Sequence, residues 1–363
     1  MRIDSLKLNN FRNYDTLEIA LDPGTNLFYG DNAQGKTNIL EAVYLAGTTK
    51  SHRMSRDREM IRFDQDEAHI RMNVVKRDSE YRIDMHLKKD GKKGIAVNGV
   101  PIKRAGELVG ICRFVFFSPE DLNIIKNGPS ERRRFIDMEL CQTDSSYIYD
   151  LARYNKILAQ RNQLLKDIAF RPAMKDTLDI WDEQLLTYGS KIIKARRLFT
   201  ASLNEIIKGV HEKLSGGREQ LSVEYENNVD EDRFIDELVA ARDKDLRMRT
   251  TSVGPHRDDL KFVTQDIDIR KYGSQGQQRT TALSLKLAEI ELVRKMGNDT
   301  PILLLDDVLS ELDSGRQKYL LESIEQVQTL ITCTGVDDFV KNNFRIDRLF
   351  RVSAGTAWED LNG

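Results

Sequence analysis

The chain has 363 residues, a length that predicts one large domain with an insertion or two domains. Charged residues make up 31% and hydrophobic residues 40% of the chain, and 56 basic side chains nearly balance 58 acidic ones, so any binding of nucleic acid must come from a local patch. No run approaches the roughly 20 apolar residues that span a bilayer, and the N-terminus lacks the apolar segment of a secretory leader, which predicts a cytoplasmic protein.

The first fifty residues predict a strand, a glycine-containing loop and a helix. Apolar and polar residues alternate over Ile3 to Leu8 and over Leu17 to Leu21, and a "DPGT" turn precedes the apolar run from Leu27 to Tyr29. A helix is predicted from Thr37 to Gly47, because glycine often ends a helix.

The loop between that strand and that helix, "GDNAQGKT", matches the phosphate-binding pattern G-x-x-x-x-G-K-[ST]. Its backbone N–H groups and the helix N-terminus would form an anion site. Lys36 is predicted to reach the outer phosphates in a catalytic role, and the Thr37 hydroxyl is predicted to be a Mg²⁺ ligand. A purely structural glycine turn is the alternative. The predicted nucleotide-binding residues of the loop are Gly30, Asp31, Asn32, Ala33, Gln34, Gly35, Lys36 and Thr37.

The middle of the chain predicts a helical lobe. Between Thr177 and Leu214, apolar residues recur in steps of three and four, which predicts one amphipathic helix of about 55 Å. A second helix is predicted over Tyr147 to Leu165, and "FRP" at Phe170 to Pro172 separates the two.

An acidic strand end completes the nucleotide motifs. Ile302 to Leu305 predict a buried strand that places Asp306 where its carboxylate can hold Mg²⁺ through water. An acidic helix cap after a core strand is the alternative. Together with the phosphate loop, the pattern resembles the ABC ATPases. That resemblance implies a catalytic role for Asp307, which stands where most members have a glutamate that polarises the attacking water; the shorter aspartate implies slow hydrolysis.

Two segments compete for the ABC signature, which opens a helix and caps the γ-phosphate bound by the other subunit. "LSGG" at Leu214 to Gly217 matches the family string by letter, but Gly216 and Gly217 follow the last apolar position of the long helix and favour a helix stop. "GSQGQQR" at Gly273 to Arg279 is followed at once by a helix and then by the acidic strand. The predicted signature residues, which bind the nucleotide of the partner, are Ser274, Gln275, Gly276 and Gln277.

The chain resembles the RecF branch of the ABC ATPases, bacterial recombination mediators related to SMC heads. Besides the motifs above, the resemblance rests on the segments "LNNFRNY", "KSHR", "FSPEDLNIIKNGPSERRRFID", "GPHRDD" and "SELD". It implies an α/β fold, an ABC-type P-loop ATPase head of mixed sheet and helices with an inserted, mainly helical lobe. The predicted domains are 1–130 for the N-terminal half of the head, 131–255 for the lobe and 256–363 for the C-terminal half of the head.

The same resemblance implies ATP and Mg²⁺ as cofactors, an ATP-dependent homodimer and a weak, DNA-stimulated ATPase activity. It also implies binding to double-stranded DNA near single-strand gaps and junctions, and cooperation with RecR and RecO in loading RecA. At the position of the ABC switch histidine, "ITCTG" offers Thr332 or Thr334, of which Thr334 is the better placed candidate for a catalytic role. The alternatives are a clamp in which ATP only holds the dimer together, and a shortened SMC-like head.

Basic residues bunch in three segments, Lys50 to Arg62, Lys88 to Lys93 and Arg132 to Arg134. Phosphate contact needs several such residues on one surface, whereas solvated loops and a solvated helix face are the alternative. The predicted DNA-binding residues are Arg53, Arg56, Arg132, Arg133 and Arg134. His256 and Arg257 in "GPHRDD" are predicted to join a buried network in which Asp258 and Asp259 satisfy them.

Overall fold

The computed structural model describes residues 1–53, 56–297, 300–324, 326–336, 339 and 344–360. They form two compact units, a head unit of Met1–Asp121 with Glu289–Gly363 and a lobe unit of Leu122–Ala288. These units divide the chain after Asp121 and after Ala288, whereas the predicted domain limits are at 130 and 255. The predicted limits stay a prediction. Within the described part of the chain, no helix combines the length and the apolar character that crossing a membrane requires.

Strands predominate in the first third of the chain and helices in its middle. In chain order, the strands are β1 (Arg2–Phe11), β2 (Tyr14–Ala20), β3 (Thr25–Tyr29), β4 (Glu67–Lys76), β5 (Ser79–Lys88), β6 (Gly94–Val97), β7 (Val100–Pro101), β8 (Phe114–Phe117), β9 (Leu221–Glu226), β10 (Asp259–Thr264), β11 (Ile267–Asp268), β12 (Ile302–Asp306), β13 (Thr329–Cys333), β14 (Arg348–Ser353) and β15 (Thr356–Glu359). The α-helices are α1 (Lys36–Thr48), α2 (Leu122–Lys126), α3 (Pro129–Thr143), α4 (Ser145–Asp167), α5 (Leu178–Ser215), α6 (Phe234–Ala240), α7 (Arg242–Met248), α8 (Ile269–Tyr272), α9 (Gln275–Gly297) and α10 (Ser314–Ser323).

The head unit contains two six-stranded sheets. One is antiparallel, with the strand order β2-β1-β4-β5-β6-β7. The other has the order β15-β14-β3-β13-β12-β8, and all its pairs are parallel except β14 with β15. Strand β12 lies between β13 and β8 and is buried along its whole length, which explains its continuous apolar sequence. The predicted mixed sheet is confirmed, and the carboxyl ends of β3, β13 and β12 lie at one edge.

The lobe unit is built around the pair of helices α4 and α5. Both helices were predicted, and α5 runs unbroken from Leu178 to Ser215. Leu164, Leu165, Ile168 and Leu178 form a buried cluster against which the side chain of Trp181 packs. The lobe also contains the antiparallel sheet β11-β10-β9, so it is helical in the main but not throughout.

The "GPHRDD" segment joins a buried polar network, but with partners other than those predicted. The Nε2 of His256 is 3.0 Å from the carbonyl oxygen of Thr251, an acceptor only, so this nitrogen carries the proton. Its Nδ1 accepts the hydroxyl of Tyr154 at 2.8 Å. Burial lowers the pKa of His256 to about 4, which keeps the ring neutral. Asp258 instead pairs with Arg196 at 2.9 Å, which corrects the predicted partnership with His256.

A second ionic cluster holds the interior of the lobe unit. The guanidinium of Arg161 is fully buried and donates to Asp182 at 2.6 Å, to Asp245 at 2.7 Å and to the hydroxyl of Thr251 at 2.9 Å. Both carboxylates are themselves fully buried. Removing the guanidinium would leave two buried carboxylates without their cation in a medium of low polarity. The resulting loss of folding free energy is larger than the net stabilisation that the intact ion pairs contribute.

We therefore expect Arg161→Met to destabilise the chain by about 3–5 kcal/mol, the usual cost of breaking a buried ion pair. The matched control is Arg197→Met on α5, the helix paired with the α4 of Arg161, because Arg197 pairs with Asp230 and Glu231 at the surface. Surface pairs contribute roughly 0–1 kcal/mol, so the control should unfold at nearly the parent urea concentration. Equal urea midpoints for the two variants would contradict the role assigned to Arg161.

Candidate functional site

The phosphate-binding loop connects β3 to α1 in a strained conformation. Gly30, Ala33 and Gly35 have φ angles of 148°, 63° and 115°. A Cβ atom at Gly30 would lie 2.3 Å from the carbonyl oxygen of Val352, and one at Gly35 would lie 2.5 Å from the Nδ2 of Asn13. Glycine is therefore required at both positions, by backbone angle and by space. Such a loop turns successive N–H groups toward one point, as an anion site requires.

Side chains from the start of the chain support this loop. The Nδ2 of Asn13 donates to the carbonyl of Gln34 at 2.8 Å, and its Oδ1 accepts from Asn38 at 2.8 Å. The hydroxyl of Tyr14 donates to the carbonyl of Gly35 at 3.1 Å. Both residues belong to "LNNFRNY", a segment that the sequence identified by resemblance without giving it a physical role. Its role in the structure is to fix the loop.

Lys36 opens α1 and points back over the loop. Its ammonium donates to the carbonyl of Gly30 at 2.6 Å and to that of Asp31 at 2.8 Å, and the residue is 6% exposed. Burial lowers the pKa of Lys36, although the nearby carboxylate of Asp307 opposes that effect. The cation is thus held at the loop by backbone oxygens, which a phosphate group could replace.

Thr37 and Asp306, each predicted to hold Mg²⁺, contact each other at the edge of the parallel sheet. The hydroxyl of Thr37 donates to the Oδ1 of Asp306 at 2.7 Å. The hydroxyl of Thr332, at the end of the neighbouring strand β13, donates to the same oxygen at 2.7 Å. Asp306 is 8% exposed. Hydroxyl and carboxylate oxygens in this combination suit Mg²⁺, so the residues present fit that ion.

Asp307 follows the strand end in an unusual backbone conformation. Its φ angle is 53°, and its N–H donates to the carbonyl oxygen of Thr332 at 3.1 Å. Burial raises the pKa of Asp307, with a further rise from Asp306 and an opposing effect from Lys36. The turn thus holds this carboxyl group half-buried and more basic than an exposed aspartate, which suits a group that accepts a proton.

The two threonines offered for the switch position occupy different environments. Thr332 is buried and contacts the acidic strand end, whereas Thr334 lies just beyond β13 and is exposed. The role of Thr334 stays a prediction. Sequence analysis did not predict the contact of Thr332 with Asp306. The two residues are paired at the ends of the adjacent parallel strands β13 and β12, and alignment of those two strands could have indicated the contact.

The local structure of the two candidate signature segments differs. Helix α5 ends before Gly216, which has a φ of 66°, and the N–H of Gly217 donates to the carbonyl of Glu212 at 2.8 Å. The prediction that "LSGG" is a helix stop is confirmed. The helix predicted to follow "GSQGQQR" is present as α9, but it begins within that segment, at Gln275.

Ser274 caps that helix. Its hydroxyl accepts from the N–H of Gln277 at 3.2 Å, and the side-chain oxygen of Gln277 accepts from the N–H of Ser274 at 2.9 Å. This reciprocal pair is a capping box. The Nε2 of Gln277 donates to Glu219, two residues after "LSGG", at 3.0 Å. Ser274, Gln275 and Gly276 are exposed, and their role toward a partner stays a prediction.

The basic residues predicted to bind DNA differ in exposure. Arg53 and Arg56 are exposed. Arg132 is 4% exposed and donates to Asp259 at 2.5 and 3.1 Å, and also to two backbone carbonyls. These contacts use its guanidinium within the fold and argue against the predicted DNA contact. Arg133 donates to a backbone carbonyl at 2.7 Å, and Arg134 is half-buried.

Comparisons with known proteins agree with these motifs. A family model described as the RecF/RecN/SMC N terminal domain matches residues 2–357. The chain is 64% identical over 355 residues to the DNA replication and repair protein RecF of Agathobacter rectalis, covering 98% of each chain. It superposes with a TM-score of 0.92 and 38% identity on a solved structure described as the recombination mediator protein RecF with ATP in the RecFOR pathway, covering 99% of this chain and 97% of that one.

A more distant neighbour shares the fold. An Smc head bound to the C-winged helix domain of ScpA superposes with a TM-score of 0.59 at 17% identity, covering 99% of this chain and 97% of that one. At this identity the likeness concerns the fold alone.

The support of the loop by Asn13 can be tested without any ligand. We expect Asn13→Ala to speed hydrogen–deuterium exchange in the peptide that covers residues 30–38 by about fivefold, because a lost hydrogen bond costs about 1 kcal/mol. Mass spectrometry of the exchanged peptides provides the measurement. Asn9→Ala, on the strand β1 that precedes the turn of Asn13, is the control. Equal exchange in the two variants would show that Asn13 does not hold the loop.

Proposed function

The chain belongs to the RecF branch of the RecF/RecN/SMC family of DNA replication and repair proteins, and from this premise we propose that it is an ATP-dependent, DNA-binding recombination mediator. ATP would bring two copies together, and the dimer would bind duplex DNA beside single-strand gaps and, with RecR and RecO, promote loading of RecA. Slow hydrolysis would reset the clamp. The observation that carries the proposal is the 2.7 Å contact between Thr37 and Asp306 beside a glycine-dependent phosphate loop.

The loop and the acidic strand end divide the recognition of ATP between them. The N–H groups of the loop and the start of α1 would bind the phosphates, while Lys36 would exchange its two carbonyl partners for the outer phosphate oxygens. Thr37 and Asp306 would hold Mg²⁺, which neutralises charge on the phosphates when bound. The solved RecF described with ATP supports this part of the proposal.

Asp307 is the proposed acceptor of the proton from the attacking water. Its raised pKa and half-buried position suit a general base, and its short side chain fits a slow reaction. The rival proposal is a clamp in which ATP only holds the dimer and hydrolysis is incidental. In both proposals the protein acts in the cytoplasm.

The start of α9 is the proposed contact to the nucleotide of a second copy. Its first residues are exposed, and the N-terminus of a helix of 23 residues attracts an anion. The capping box keeps the hydroxyl of Ser274 occupied by the N–H of Gln277. A γ-phosphate bound by the partner would accept hydrogen bonds from the Ser274 hydroxyl and from the N–H of Gln277. The capping box would therefore open when the dimer closes.

Arg53 and Arg56, which are exposed, are the first candidates for DNA contact, followed by Arg133 and Arg134. The net charge of one copy is −2, so one copy should bind duplex DNA weakly. Two copies would present twice the number of phosphate contacts, and affinity for DNA would then depend on ATP. Arg132 is left out because its guanidinium is used by Asp259.

Ser274→Arg should leave the binding of ATP to one copy intact and abolish dimerisation, because a large cation would fill the place of the partner's phosphate. Light scattering with and without ATP and Mg²⁺ measures dimerisation, and a fluorescent ATP analogue measures binding. Ser145→Arg, at the exposed start of α4, is the matched control and should dimerise like the parent. Unchanged dimerisation of the Ser274 variant would reject the assignment of the signature.

Asp307→Asn should slow ATP turnover by about 10²-fold or more, the usual contribution of a general base, and should prolong both the dimer and its residence on DNA. Single-turnover hydrolysis and dissociation from labelled duplex DNA with an adjacent single-strand gap are the two measurements. Glu322→Gln, an exposed change on α10, serves as the control. If hydrolysis falls but the variant leaves DNA as fast as the parent, turnover does not reset the clamp and the rival proposal is favoured.

A further inference from the structure

The outer face of the antiparallel sheet in the head unit brings together two histidines and a glutamate. His69 on β4 lies directly opposite His86 on β5, and Glu67 precedes His69 by two residues. Residues two apart on a strand, and residues paired across antiparallel strands, point to the same face. The three side chains therefore share one face, where Glu67 and His69 are exposed and His86 is partly exposed.

The donor atoms of these side chains lie close enough to share an ion. The rings of His69 and His86 are stacked, with centroids 4.1 Å apart and an interplanar angle of 20°. The Nε2 of His86 lies 2.6 Å from the Oε2 of Glu67, and one ligand atom from each of the three residues lies within 4.8 Å of the others. A tetrahedral Zn²⁺ with ligands 2.0–2.1 Å away would separate them by about 3.3 Å, between these two distances. Small rotations of the side chains are sufficient to form the site.

The surroundings favour the protonation states that a metal needs. Burial and the neighbouring His86 lower the pKa of His69, which favours the neutral ring. The hydrogen bond to His86 lowers the pKa of Glu67, which favours its carboxylate. Metal ions bind neutral imidazole and ionised carboxylate, so an ion would replace the hydrogen bond between His86 and Glu67.

The remaining side of the site opens on a groove. A groove of about 430 Å³ on this face is lined by His69, His86 and the backbone of Gly94 among others. Gly94 pairs with His86 across β5 and β6 and has no side chain to fill the space beside it. Three protein ligands with an open fourth position that water can occupy are typical of reactive zinc sites, whereas structural sites have four.

The charged neighbours do not block an ion. Arg71 pairs with Asp84 at 2.6 Å and Lys7 with Glu18 at 2.8 Å, so these two cations have an anionic partner. Lys88, opposite Glu67 in the register, is a cation close enough to act on the charges of both Glu67 and His69. A bound divalent ion would repel it, but its long side chain can turn into solvent. The plain alternative is a cross-strand pair that only stabilises the hairpin.

We propose that Glu67, His69 and His86 form a binding site for a divalent transition-metal ion of the zinc class, with one coordination position open to the groove. Two imidazoles and a carboxylate are ligands that suit Zn²⁺ and its neighbours better than Mg²⁺. The site belongs to the head unit alone and is independent of the phosphate loop and of any ATPase activity. Sequence analysis did not single it out, because 17 positions separate the two histidines and only the β4–β5 register brings them together.

Titration of the full-length chain with ZnCl₂ by calorimetry, in excess Mg²⁺ to occupy oxygen-rich sites, tests the proposal. One zinc per chain should bind to the parent. His69→Ala and His86→Ala should each weaken binding by about tenfold or more, since even the outer partners of metal ligands are worth 10–100-fold. Glu67→Gln should weaken it as well, whereas Glu18→Gln, at another exposed carboxylate of the same sheet, should not.

A spectroscopic readout separates this site from binding elsewhere on the chain. Co²⁺ added to the parent should give visible absorption of a tetrahedral ion, and the bands should be lost in both histidine variants. Binding should also weaken in acid, where protons compete with the ion for the imidazole nitrogens. Thermal unfolding without metal should show that the variants fold like the parent, because the replaced side chains are at the surface. Zinc affinity and Co²⁺ spectra that are the same in the parent and in both histidine variants would overturn the proposal.

Discussion

The head unit depends on one carboxylate oxygen that two hydroxyl groups share. The Oδ1 of Asp306 accepts from Thr37 of the phosphate loop and from Thr332 of the neighbouring strand, each at 2.7 Å. Three segments that are far apart in the chain are joined there, because β3, β13 and β12 are consecutive strands of a parallel sheet and end at the same edge. Hydrogen bonds to a charged acceptor are worth more than neutral ones, so the arrangement holds the site before any ligand arrives. Preorganised oxygens need little rearrangement to accept a metal ion.

The same edge carries backbone conformations that cost free energy, and the packing around it maintains them. Ala33 and Asp307 both have positive φ angles, which residues other than glycine rarely adopt. Asn13 and Tyr14 support the loop, and the hydrogen bond to Thr332 supports the turn at Asp307. Support of this kind is what allows a strained residue to persist at a functional site. The strain is placed where the phosphate groups and the attacking water would be.

Local patterns predicted well what local physics decides. The periodicity of α5 and its end at Gly216 follow from side-chain spacing and helix capping, and the structure agrees. Contacts between distant segments could not be predicted in this way. The sequence suggested Asp258 as a partner for His256, but long-range packing gives that carboxylate to Arg196. Arg132 was predicted to bind DNA because its partner within the fold, Asp259, lies 127 positions away in the chain and no local pattern indicates that pair.

The capping box at the start of α9 explains how the proposed dimer could distinguish the state of its nucleotide. An N-cap of this kind stabilises a helix by about 0.5–2 kcal/mol, and the partner phosphate would have to replace that contribution. A hydrogen bond to a charged group is worth about 1.5–3 kcal/mol, so a bond to the γ-phosphate can stabilise the helix start more than the cap does. A nucleoside diphosphate has no γ-phosphate and cannot replace the cap. The side-chain amide of Gln277 also donates to Glu219, in the loop after α5, so Gln277 keeps this partner when the capping box opens. If the γ-phosphate replaces the neutral capping box, closure of the dimer would depend on ATP. Hydrolysis would remove that phosphate, and the dimer would then open.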